Sequence, residues 1–210
     1  MSNAMRLSFG ELEGFLALLH EVAPEKHGAL KARMKHLQRL GWPVGANRGR
    51  GAKEGYGVDQ SLSLAMAFEM LRLGMTPERV LAQLTIERGY MVHGFLDALA
   101  QPSVDPDPVF YVFSPNALQS LRPSTAAEPG GSSMMISRSE IPSLLLSAPV
   151  FQTPRFAVID MHALLMAFIA FARDTRGING TSEIKKALED WELDRAKAVQ
   201  KASPNPPSNS

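Results

Sequence analysis

The chain has 210 residues, of which 45% are hydrophobic and 20% are charged, so it is long and apolar enough to build a folded core. It contains no cysteine, which excludes disulfides, a cysteine nucleophile and thiolate metal sites. The formal net charge is only +1, from 22 basic and 21 acidic side chains, so the chain as a whole is not strongly basic.

We expect no signal for export or for membrane insertion, because no cationic segment with an apolar core and a small-residue cleavage site follows the first residues. Residues 1–4 precede a second methionine, Met5, and we interpret them as an expression scar. The most apolar stretch, residues 163–172, is about half the length that spans a bilayer. We therefore expect a cytoplasmic protein without membrane contact.

The first hundred residues are predicted to be mostly helical. Ser8 and Glu11 have the spacing of a capping box, and Thr76 precedes a proline as an N-cap should. Gly41 and Gly74 follow apolar stripes and indicate helix ends. The predicted helices cover about 9–22, 24–40, 60–73 (capped by Asp59), 77–88 and 90–100.

The positive charge is concentrated in one segment. Residues 26–53 hold eight Lys or Arg and no Asp or Glu, whereas the other 182 residues carry a net charge of −7. Within the second helix, Lys31, Lys35 and Arg39 lie four residues apart and share one face. The apolar positions Leu30, Met34, Leu37 and Leu40 form another stripe. Such a pattern is typical of a nucleic-acid contact, and the alternative is an ordinary solvated helix face.

A glycine-rich segment follows the basic helix. Five glycines in residues 43–58 resist helix formation and permit a hairpin. We predict strands at Trp42–Val44 and Tyr56–Val58 that form a wing. Its tip would carry three basic residues, Arg48, Arg50 and Lys53. A phosphate-binding loop is the competing interpretation, but the segment has no Gly-Lys-Ser/Thr sequence.

Residues 101–108 contain three prolines and are predicted to be a stiff linker between two domains. Residues 5–100 would be the first domain. Residues 109–200 would be a small α+β domain for dimerisation or effector binding, with strand candidates at 109–113, 134–137 and 155–159. A last helix is predicted over 183–199, and the tail 201–210 is expected to be disordered.

The helix predicted over Met161–Arg173 is apolar on nearly every side. A helix of this kind is either deeply buried or shared between two subunits. Because the surrounding domain is small, we favour a dimer interface over a private core. We therefore expect a homodimer.

No pattern indicates catalysis. Asp160 and His162 are two residues apart, but no third metal ligand has a useful spacing, so we interpret them as a helix cap and a surface histidine. No serine lies in a nucleophile elbow. We expect no enzymatic activity, no metal and no cofactor.

Two stretches resemble the MerR family of bacterial transcription regulators. They are Tyr56-Gly57-Val58-Asp59-Gln60, and Leu71-Arg72-Leu73-Gly74 with the helix start Met75-Thr76-Pro77-Glu78. Residues 37–43 also resemble the end of that family's recognition helix. The resemblance covers roughly residues 30–88 and implies an N-terminal winged helix-turn-helix domain. Without cysteine it does not extend to metal sensing.

The resemblance implies a transcription regulator that binds double-stranded DNA in a sequence-specific way. Its recognition helix would place Lys31, Lys35 and Arg39 toward the major groove, beside His36, with Gln38 able to read adenine edges. Arg48, Arg50 and Lys53 would lie along phosphates, and Tyr56 would contact a phosphate or pack within the wing. The alternative is a protein-binding or small-molecule-binding module whose basic helix contacts RNA or an acidic protein. Neither interpretation identifies an effector.

Overall fold

The chain folds as an α+β protein, as its sequence predicts. The computed structural model describes residues 5–46, 55–102, 104–115, 133–146, 156–178 and 181–202, without the side chains of 198–202. The described helices are α1 (Phe9–Leu19), α2 (His27–Arg39, after a short 3-10 turn at Pro24–Lys26), α3 (Val58–Arg72), α4 (Pro77–Ile86), α5 (Arg88–Ala100), α6 (Ile141–Leu146), α7 (Met161–Arg176) and α8 (Ser182–Ala202). The described strands are β1 (Val109–Phe113), β2 (Ser133–Ser137) and β3 (Ala157–Asp160).

Helix ends follow local hydrogen-bond chemistry. The backbone N–H of Glu11 donates to Ser8 Oγ at 3.2 Å and that of Ser8 donates to Glu11 Oε2 at 2.7 Å, so the predicted capping box is confirmed. Thr76 Oγ1 likewise accepts from the N–H of Arg79. Gly41, just beyond α2, has φ +88°, a left-handed conformation that suits glycine at a helix end.

The predicted wing strands do not pair with each other. The backbone of Tyr56 instead forms an antiparallel bridge with Leu7, with N···O distances of 2.6 and 2.8 Å. A side chain at Gly55 would collide with the Leu7 carbonyl, so the chain approaches closely there. Gly57, rather than Asp59, is the N-cap of α3. The wing predicted from these two strands is therefore not observed, and a winged helix-turn-helix is not confirmed.

Trp42 explains why residues 42–44 form a turn rather than a strand. Its ring is buried, and its Nε1 donates to the carbonyl of Ser63 at 3.2 Å. Gln60 Nε2 donates to the Val44 carbonyl at 3.1 Å, which attaches the same segment to α3. This end of the segment therefore packs against α3.

The sheet has the order β2-β1-β3 and both neighbouring pairs are antiparallel. The central strand β1 packs against α5 and α7. On the other face, Val112 and Ile136 form a small cluster with Ile141 and Leu144 of α6. The sheet therefore lies between helices on both faces.

Both sides of the predicted linker contribute to one hydrophobic core. Phe15 of α1 meets Phe168 of α7 edge to face, with ring centroids 5.3 Å apart. Phe95 of α5 lies 6.4 Å from Trp191 of α8. Residues 101–108 therefore do not separate two independent cores.

Helix α7 belongs to this core. Leu164, Leu165 and Phe168 are buried within the single chain, and Met166 and Ile169 pack against them. The apolar surface that suggested a dimer interface is thus largely covered without a second subunit. The composition of α7 therefore no longer supports the expected homodimer. In the expected disordered tail, Lys201 and Ala202 continue α8, and 203–210 lie outside the described residues.

Acidification is expected to weaken the attachment of α7 to α1. Arg176 Nη2 donates to Glu11 Oε2 at 2.6 Å and to the Arg6 carbonyl at 3.1 Å. The hydrogen bond from Arg176, then those from Ser8, lower the pKa of Glu11 from 4.5 to about 2. Because the folded pKa lies below the unfolded one, the stabilisation is complete above pH 4.5 and is lost as the pH falls to about 2.

Urea denaturation measured between about pH 6 and pH 2 tests this contribution. Below pH 4.5 the unfolding free energy of the parent chain should fall, and the fall should be smaller in Glu11→Gln. Glu189→Gln, at an exposed position of α8, is the matched control and should behave as the parent chain. Parallel losses in the parent chain and Glu11→Gln would contradict the assignment.

Candidate nucleic-acid interface

Helix α2 has one buried and one exposed side. Leu30, Met34 and Leu37 are buried, as their spacing predicted. Lys31, Lys35 and Arg39 are all exposed. The spacing of three or four residues within each set keeps it on its own face, so the two faces are confirmed for these residues. Leu40, the fourth predicted apolar position, follows the helix and is exposed.

Lys31 has an acidic neighbour in the fold, although residues 26–53 contain no Asp or Glu. Its Nζ lies 3.2 Å from Oε2 of Glu13, a buried carboxylate on α1. The other oxygen of Glu13 lies 2.9 Å from His27 Nδ1. The sequence could not show this pairing because Glu13 lies on a different helix. The charge of Lys31 is therefore partly offset within the chain.

Lys35 and Arg39 are the accessible cations of this face. Neither forms an ion pair with any carboxylate in the part of the chain that the structure describes. Together with Ala32 and Gln38 they line one open concavity. An exposed pair of cations with nearby amide and apolar groups can bind phosphate oxygens and contact a groove wall.

Gln38 and Tyr56 are brought together. Gln38 Nε2 donates a hydrogen bond to the Tyr56 hydroxyl. Burial raises the pKa of Tyr56, and the bond from Gln38 acts in the opposite direction. The contact attaches the segment before α3 to the end of α2. Gln38 would have to exchange this bond in order to read a base edge.

His36 was predicted to lie beside Lys35 and Arg39, but it lines a separate cleft. It lines a cleft between α2, α3 and the start of α4, together with Arg33 and Arg72. Side chains one residue apart on a helix are separated by about 100°, so His36 is turned away from Lys35 and toward the cleft. Arg72 of α3 was not a predicted site residue, and only the packing of α3 against α2 shows its position.

Other predicted features lie outside the interface or outside the described residues. Asp160 Oδ1 accepts from the N–H of Ala163 at 2.8 Å, so it caps α7, and His162 Nδ1 lies 3.1 Å from the Ala98 carbonyl. In the described ranges, no three His, Asp or Glu side chains are grouped as a metal site would need. Three predicted phosphate contacts fall outside those ranges: Arg48, Arg50 and Lys53.

No family model, curated protein or solved structure matches this chain. The resemblance to MerR regulators therefore stays a prediction. None of the helices in the described part of the chain combines the length and hydrophobicity that a membrane crossing requires.

Proposed function

We propose that the protein is a sequence-specific DNA-binding transcription regulator that uses α2 as its recognition helix. The observation that carries the proposal is the exposed face of α2 with Lys35 and Arg39 at its surface and the apolar stripe buried behind it. This arrangement orients the helix without using Lys35 or Arg39 for the fold. It leaves them available to a polyanion.

The dimensions of α2 suit a major groove. Its 13 residues form a rod about 20 Å long, and the groove of B-DNA, about 12 Å wide, admits one helix. Lys35 and Arg39 are about 6 Å apart along the axis. Arginine at this position can donate two hydrogen bonds to guanine, while lysine neutralises a phosphate.

The segment between α2 and α3 supports the proposal at both of its described ends. Trp42 attaches one end to α3, and Tyr56 attaches the other to Leu7 and Gln38. The sequence between these ends carries Arg48, Arg50 and Lys53. If the three cations between these ends also contacted phosphates, they would add to the affinity that Lys35 and Arg39 provide.

Binding to several anionic polymers tests the class of partner. The full chain is titrated, at roughly 50 mM salt, into labelled random-sequence duplex DNA, single-stranded RNA and an acidic peptide. The proposal predicts that duplex DNA binds most tightly and that the other two compete poorly. Preferential binding to RNA or to the peptide would instead support the alternative module. Absence of binding to duplex DNA at this salt concentration would contradict the proposal.

A further inference from the structure

The cleft between α2, α3 and the start of α4 has a volume of about 280 Å³. Its apolar wall is formed by Leu37, Phe68, Leu71 and Pro77. The volume lies just below the roughly 300–1,000 Å³ that is typical of small-molecule pockets. The cleft therefore has room for a compound of about one aromatic ring.

The polar side of the cleft is cationic. Arg33 of α2 is exposed and forms no ion pair with a carboxylate of the described ranges. Arg72 of α3 lies 3.7 Å from Glu69 Oε1, its side chain more than half exposed. Both arginines therefore line the cleft, and the carboxylate of Glu69 offsets part of their charge. The excess of positive charge suits an anionic ligand.

His20 lies behind the wall and does not add to this charge at neutral pH. Its ring stacks on Phe68 with centroids 5.6 Å apart, and its Nδ1 is 3.4 Å from both Glu69 Oε1 and Arg72 Nη1. Burial, then the charge of Arg72, lowers the pKa of His20 to about 4. The stacked ring therefore supports Phe68 as a neutral side chain, and the cationic character comes from the arginines.

We propose that this cleft binds a small organic monocarboxylate with an apolar body. The body packs on Leu37, Phe68 and Leu71, and the carboxylate accepts hydrogen bonds from Arg33 and Arg72. Guanidinium groups match the two oxygens of a carboxylate in geometry and charge. The cleft lies on the side of α2 that carries Arg33 and His36, so a ligand there does not occupy the concavity of Lys35 and Arg39.

Calorimetric titration of the full chain tests the proposal, with benzoate, phenylacetate, indole-3-acetate and octanoate as probes. The expected result is a Kd of about 1 mM or tighter for at least one probe. Its neutral amide should bind at least about tenfold more weakly, because the charge-assisted bonds are lost. The proposal would be overturned if acid and amide bound equally well, or if none of the four acids bound at about 5 mM.

Substitutions locate the site. Arg33→Ala and Arg72→Ala should each raise the Kd of the probe that binds by about tenfold. Arg173→Ala removes the same charge from an exposed position of α7 and should leave the Kd unchanged. An equal loss in Arg173→Ala would place binding elsewhere. These titrations contain no DNA, so their outcome is independent of the proposed function.

Discussion

Replacing Lys35 and Arg39 together by glutamate is expected to weaken binding to duplex DNA by about 100-fold or more at roughly 0.1 M salt. Each phosphate contact releases about 0.9 counterion, which corresponds to nearly one order of magnitude in affinity at this salt concentration. Both side chains are exposed and point away from the buried stripe of α2, so the fold should persist. Fluorescence anisotropy with a labelled duplex measures the loss.

The matched control has the same change in charge at another site. Lys185 and Lys186 are exposed on α8, and their double change to glutamate should alter the DNA affinity by less than about threefold, because distant charges are screened beyond about 10 Å at 0.1 M salt. Equal losses in the two double variants would mean that binding follows net charge rather than the face of α2. Thermal melting of both variants checks that each is folded.

Shortening the chain to residues 1–108 is expected to abolish cooperative folding. Helices α7 and α8 would be lost, and with them Phe168 against Phe15 and Trp191 against Phe95. Loss of contacts around a buried aromatic side chain costs about 3–5 kcal/mol. Two such losses approach the total stability of about 5–15 kcal/mol for a typical domain. Circular dichroism during heating should show no sharp transition.

A chain that ends at residue 202 is the control for the truncation. It keeps α8 to its described end and should melt as the full chain does. If the fragment 1–108 melted cooperatively and bound DNA, the first hundred residues would form an independent domain, as the sequence predicts. In that case the shared core would contribute little to their stability.

Local features of the fold could be predicted from the sequence. Ser8, Thr76 and Asp160 each cap the helix that follows, because a cap requires only hydrogen bonds within three residues. The strand at 109–113 was also predicted with its observed bounds, from its β-branched and aromatic side chains. These signals depend on neighbours along the chain and are therefore visible without coordinates.

Contacts between distant segments could not be predicted. Tyr56 pairs with Leu7 rather than with residues 42–44. The sequence does not identify this partner, because any strand edge offers the same backbone groups. The linker prediction missed the packing of α7 on α1. Apolar periodicity shows that a helix buries one face, but it does not identify the element on which that face packs.

The site shows the same division between local and distant information. The shared face of Lys35 and Arg39 followed from helical spacing alone. The ion pair of Lys31 with Glu13 required the position of α1 beside α2. Arg72 enters the cleft only because α3 packs on α2. The sequence therefore identified the cationic face. It did not identify the neighbouring carboxylate that offsets part of its charge, or the cleft beside it.

The salt dependence of binding tests the central claim, that α2 presents a cationic surface to the phosphates of a duplex. Affinity of the full chain for random-sequence duplex DNA is measured between about 50 and 200 mM salt. If about four cations contact phosphates, the log–log slope should be about −3.6, and Lys35→Glu/Arg39→Glu should make it shallower by about 1.8. A slope near zero, or one that the double variant leaves unchanged, would contradict the claim.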